Sequence, residues 1–148
     1  MMYLIISAIF ATSSFAQTTP LLKLEQYSGY TPPQYAMAAQ CALEANFHVV
    51  AKIQKERTED GWKIETNIDN LISDSEMNQV QLWINQAAAG PFKRGANPCD
   101  IGTFNVVTAT YPLILSQDCG KKVENLHPSA AKLIAWLRQA CTLEGKKE

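Results

Sequence analysis

The run Thr103–Ser116, TFNVVTATYPLILS, limits what this chain can become more than any other stretch. Val, Thr, Phe, Tyr and Ile dominate it, so it reads as a β-strand. Neither alternating set is polar. Phe104 and Val106 fall on one side, Val107, Ala109 and Tyr111 on the other. A strand apolar on both faces is normally central and covered on both sides. Pro112 lacks an amide hydrogen and marks a bulge or bend there.

Cys99 and Cys119 flank this run, and Cys41 and Cys141 complete the set of four. A straight strand over 103–116 would span roughly 45 Å at about 3.3 Å per residue. A disulfide needs Cα atoms within about 7 Å, so a Cys99–Cys119 bond is disfavoured on that reading. The expected pairs are Cys99–Cys141 and Cys41–Cys119. The cysteines lie far apart with no C-x-x-C pair and only two histidines, so a metal site is not indicated.

The chain opens MMYLIISAIFATSSFAQ. Residues 3–15 carry no charge, and Ser14 and Ala16 supply small residues before Gln17, the pattern of a secretory signal peptide over 1–16. Its n-region has no Lys or Arg, and the apolar run is short for a membrane span. The expected mature part, 17–148, has the size of one domain. No later run is apolar enough to span a bilayer. An even number of cysteines in an exported chain reads as two disulfides, in the periplasm or outside the cell. The net charge of −1, with both signs interspersed, argues against nucleic acid as a partner.

Several elements follow from local signals. Leu21–Tyr27 suits a short edge strand. Thr31-Pro32-Pro33-Gln34 has a capping box and a proline for the first turn, so an alanine-rich helix is expected to about Ala45. Residues 47–57 and 62–68 alternate around Asp60-Gly61, predicting a β-hairpin with one wet face. Ser73-Asp74-Ser75-Glu76 opens a helix over 74–89 through Met77, Val80, Ile84 and Ala87, closed by Gly90-Pro91. A strand using Val80, Leu82 and Ile84 is the competing reading. Residues 92–102 and 117–126 lack periodicity and read as loops. His127-Pro128-Ser129 starts a last helix with an apolar stripe through Leu133, Ile134, Leu137 and Cys141, and residues 145–148 read as a frayed tail. The sum is an α+β domain, a small antiparallel or mixed sheet with about three helices packed on it.

No catalytic motif stands out. His48 and His127 have no serine elbow nearby. Cysteine catalysis needs a free thiol, which two disulfides would remove. Asp60, Glu65, Asp100, Asp118 and Glu124 are the carboxylates a glycosidase-like pair would draw on. Trp62, Trp83 and Trp136 sit beside core-facing positions, where partial burial accounts for them. No phosphate, dinucleotide or calcium motif is present, and no cofactor is expected. The stretch Phe92, Lys93, Arg94, Gly95 and Asn97 pairs an aromatic with two cations in a loop that Cys99 would pin. Pinning lowers the ordering cost of binding. The expected function is a small exported binding protein, an inhibitor or immunity-type partner of a secreted hydrolase, whose partner is a protein. The alternative is a small periplasmic or secreted hydrolase using carboxylates or His. The sequence does not set the oligomeric state.

Overall fold

The computed structural model describes residues 19–142. The expected signal peptide and the expected frayed tail lie outside these residues. Eight strands and two α-helices are present among the described residues. The strands are β1 (Leu22–Tyr27), β2 (Met37–Leu43), β3 (His48–Thr58), β4 (Gly61–Leu71), β5 (Phe92–Ala96), β6 (Thr103–Thr108), β7 (Pro112–Ser116) and β8 (Lys121–Asn125). The helices are α1 (Asp74–Ala87) and α2 (Pro128–Ala140). All strands join one sheet in the order β4-β3-β2-β1-β6-β7-β8-β5, and every neighbouring pair is antiparallel. The expected small sheet with about three helices is therefore wrong. The protein is mostly one large antiparallel sheet.

Both helices pack on one face of it. Leu22 and Leu24 of β1, Cys41 and Leu43 of β2, Val49 of β3, Val106 of β6 and Leu113 of β7 meet Met77 and Val80 of α1 and Leu133 and Leu137 of α2. Local signals served well at both helices. Ser73 Oγ accepts from Glu76 N at 3.2 Å, and His127 Nδ1 accepts from Ser129 N at 3.1 Å, each satisfying an orphan amide of the first turn. Asn125 is buried and its Nδ2 donates to the Ala87 carbonyl at 2.8 Å, closing the far end of α1. The predicted hairpin is β3–β4, turning at Asp60 next to Gly61. Most of β4 is exposed on both faces rather than one.

Four expectations fail, three because a long-range partner overrides local propensity and one because a tight turn interrupts the run. The helix expected over 31–45 is strand β2, preceded by a single 3-10 turn at Pro33–Tyr35. Alanine favours helix locally, but here β1 and β3 bond both edges of the segment. Ala39, Cys41 and Leu43 are buried on alternate positions, which is a strand's period of two. The run 103–116 is two strands, not one. Thr108 Oγ accepts from the amide of Tyr111 at 3.0 Å and donates to its carbonyl at 2.9 Å, reversing the chain in a tight turn before Pro112. The expected bulge is present, as a register shift between Val106 and Val107. The two expected loops contain β5 and β8, which pair with each other. Finally, β1 is not an edge strand but lies between β2 and β6.

The reversal at Thr108 also corrects the disulfides. It returns Cys119 to Cys99, with Cα atoms 4.1 Å apart, and these two are bonded. The other bond is Cys41–Cys141, with Cα atoms 6.2 Å apart, tying the end of α2 to the middle of β2. No cysteine is free.

Candidate functional site

One end of the sheet gathers the irregular chain. The β1–β2 connection (28–36), the β3–β4 turn, the 97–102 loop and the β7–β8 turn with Cys119 all lie there, because Tyr27 pairs with Thr103 and Ala38 at that end of the strands. Two glycines lock the first of these segments to the third. Gly29 (φ +60°) and Gly102 (φ +81°) take the left-handed region, and a Cβ on Gly102 would lie 2.1 Å from the Tyr27 carbonyl oxygen. Only glycine permits that approach. Cys99–Cys119 ties the 97–102 loop in turn to the β7–β8 turn, where Asp118 Oδ1 accepts from Ile101 N at 3.2 Å. Within 28–36, Ser28 Oγ accepts from Met37 N at 2.8 Å, and Thr31 Oγ donates to the Ser28 carbonyl. Thr31, read as a helix cap, braces this loop instead.

On this braced backbone the side chains point outward. Tyr30 is 89 % exposed and Tyr35 70 % exposed. Tyr27 lines one cleft with Tyr30, its hydroxyl accepting from Arg57 Nη1 at 3.4 Å. Tyr27, Tyr30, Arg57 and Asp118 line a cleft of about 460 Å³. It carries an acid, a base and aromatic rings. Tyr27 also borders a second cleft of about 380 Å³ on the open face of the sheet. That face has a physical origin in β2. Its outward positions include Ala38 and Ala42, small residues beside Tyr27 and Lys23 of β1 and Gln54 and Val50 of β3. Directly opposed residues share a face, so Asn105, Glu25, Gln40, Lys52 and Asn67 form one polar row across five strands. The row is laced by Lys23–Glu25 (2.6 Å) and, one row along, Lys52–Glu65 (3.2 Å).

The expected binding residues lie elsewhere on the surface. Phe92, Lys93, Arg94 and Gly95 are exposed, but on the edge strand β5 rather than in a loop. The Phe92 ring packs edge-on against Tyr111 at 6.3 Å between centroids. Asn97 is half-buried. Its amide donates to the Gly120 carbonyl at 2.8 Å and its side chain to Ser116 Oγ, so it holds the loop together.

Most of the candidate catalytic groups are spread over different elements. His48 Nδ1 pairs with Asp69 Oδ1 at 2.6 Å, and His127 caps α2. Among the described residues neither histidine bonds a hydroxyl or thiol. Asp60 sits in the β3–β4 turn, Glu65 on β4, Asp100 and Asp118 near the disulfide and Glu124 on β8, beside Lys122 at 3.8 Å. The hydrogen bond from Gln54, reinforced by Lys52, holds the Glu65 carboxyl below the usual carboxylate range. A general acid needs the opposite shift. Burial pushes the Tyr111 hydroxyl up, and that hydroxyl is occupied by the Ile84 carbonyl. Trp62, Trp83 and Trp136 are all half-buried. Trp136 Nε1 donates to Glu76 at 2.8 Å, and Lys132 lies 6.0 Å from the Trp83 ring. No group of three or more His, Cys, Asp or Glu side chains suited to a metal ion occurs among the described residues.

Sequence reasoning passed over Tyr27, Tyr30, Tyr35 and Arg57. The available signal was Y-x-x-Y-T-P-P-x-Y, three tyrosines around a Pro-Pro pair with no apolar period. Against known proteins, no family model, no curated protein and no solved structure matches this chain.

Proposed function

We propose that the protein is a small exported binding protein that engages a protein partner, a secreted hydrolase that it inhibits or neutralises, through the braced end of the sheet. The observation that carries this reading is the exposure of Tyr30 and Tyr35 on a loop whose backbone is locked by Gly29, Gly102 and, through the 97–102 loop, by Cys99–Cys119. Tyrosine gives a large amphipathic contact at low conformational cost. A loop already held in one shape loses little entropy on binding. Such rigid aromatic anchors are where interfaces concentrate their affinity. Arg57 and Asp118 add charges that set orientation, and Lys93 and Arg94 lie on the edge strand β5 that leads into the 97–102 loop. Two disulfides support an oxidising compartment, and no helix among the described residues is long and apolar enough to cross a membrane.

The test is retention of a partner from the exported fraction of the native source by the purified oxidised protein, followed by assay of any retained hydrolase. The expected result is a hydrolase held in stoichiometric amount and inhibited, with affinity reduced at least about tenfold by Tyr30→Ala plus Tyr35→Ala, as for interface hot spots. Inhibition unaffected by those substitutions would move the site away from this end. A retained hydrolase that keeps full activity would remove the inhibitor reading.

A further inference from the structure

The sheet has two edges, and they are built differently. The β5 edge is five residues long, bears Lys93 and Arg94, and is bracketed by Pro91 and Pro98. Short length, cations and proline are the means by which sheet edges avoid unwanted pairing. The β4 edge has eleven residues, contains no proline, and has no strand on its outer side among the described residues. Its Ile64 is 41 % exposed.

We infer that β4 pairs antiparallel with β4 of a second copy of this chain, across a two-fold axis through Thr66, joining the two sheets into one. A two-fold axis normal to the sheet keeps each face continuous, so only registers that oppose like-facing residues are allowed. With Thr66 on the axis, Lys63 stands opposite Asp69 of the other copy and Glu65 opposite Asn67 on the open face. Ile64 stands opposite Ile68 on the helix-bearing face. Each contact occurs twice by symmetry. Opposite charges and paired β-branched residues are the favourable cross-strand partners, and Thr–Thr is another. The neighbouring allowed registers are worse. A slip of two residues one way sets Glu65 against Glu65, and the other way sets Glu65 against Asp69. The charges therefore select one pairing. Lys63 already touches Glu56 at 2.5 Å and Asp69 touches His48 at 2.6 Å, so both are held on the open face where the new pair would form. The braced ends of the two copies would then point in opposite directions, leaving both free for partners.

Sedimentation equilibrium of the oxidised protein, expressed with its full sequence in an exporting host, tests this. The expected result is a closed dimer at tens of micromolar. Thr66→Lys, which sets two like charges on the axis, is expected to raise the dissociation constant at least about tenfold. Lys63→Glu and Asp69→Lys are each expected to raise it about tenfold, and the two together to restore it to within about threefold of the parent. Circular dichroism confirms that each variant is folded, and the charge exchange decides the matter if Thr66→Lys is not. A monomer at several hundred micromolar would overturn the inference. So would a dimer indifferent to these substitutions, an open-ended assembly, or a charge exchange no better than the single changes.

Discussion

Cys41–Cys141 and Cys99–Cys119 share one chemistry and have opposite surroundings. The first is buried, with Cys41 2 % and Cys141 0 % exposed, and it closes 100 residues of chain. It joins β2 to the end of α2 inside the core, where Leu133 and Leu137 of the same helix also pack. The second lies at the rim, with both cysteines exposed, and closes 20 residues. It fixes a loop that contributes no side chain to the hydrophobic core. The difference shows how a small domain divides its cross-links. One restrains the unfolded chain as a whole, and the other restrains a local surface that packing alone would leave loose.

The largest expected effect comes from the buried bond. Cys41→Ala with Cys141→Ala should lower unfolding stability by about 4–5 kcal/mol, the chain-closure value for a loop of this length. Urea unfolding against the oxidised parent measures it, and a loss under about 1 kcal/mol would show that the helix docks without the staple. Removing the rim bond by Cys99→Ser with Cys119→Ser should cost about 3 kcal/mol or less by the same reasoning. Its larger consequence is local. Hydrogen exchange should rise in 28–36 and 97–102 while α2 and β2 stay protected. Uniform loss of protection would erase the distinction between the two bonds.

Gly102→Ala sharpens the contrast without touching sulfur. It places a Cβ in a left-handed residue and against the Tyr27 carbonyl, so a cost of about 1–3 kcal/mol is expected, again confined to the braced end. Lys93→Ala with Arg94→Ala should change stability by less than about 0.5 kcal/mol, since both side chains are exposed on an edge. A greater change would mean that β5 carries structural weight that its exposure does not indicate. The smallest effect concerns Glu65. Its carboxyl is lowered in the folded protein, so its contribution is present above the unfolded value near 4.5 and fades as pH falls through the lower folded value. An NMR titration should find its midpoint below 4.5, and Gln54→Ala should raise it. An unmoved midpoint would assign the shift to Lys52 instead.

Local chemistry was readable residue by residue. Ser73 and His127 announced their helices, because a cap acts within one turn and needs no distant partner. The Asp60-Gly61 pair announced the β3–β4 turn for the same reason. The candidate site was not legible in this way. Tyr30 and Tyr35 sit on a braced loop only because the strands bring the 97–102 loop against 28–36, and no local pattern encodes that meeting.

The sequence by itself thus determined where two helices start, where one hairpin turns, and that four cysteines would be used in bonds. Tertiary structure decided everything that depends on a partner far along the chain. It made an alanine-rich segment a strand, since β1 and β3 bond both its edges and outweigh helix propensity worth only tenths of a kcal/mol per residue. It placed Cys41 of β2 against Cys141 at the end of α2, 100 residues away, whereas the turn from Thr108 to Tyr111 that returns Cys119 to Cys99 is local. It left β4 and β5 as edges, because strand order follows from which strands pair and not from their order in the chain.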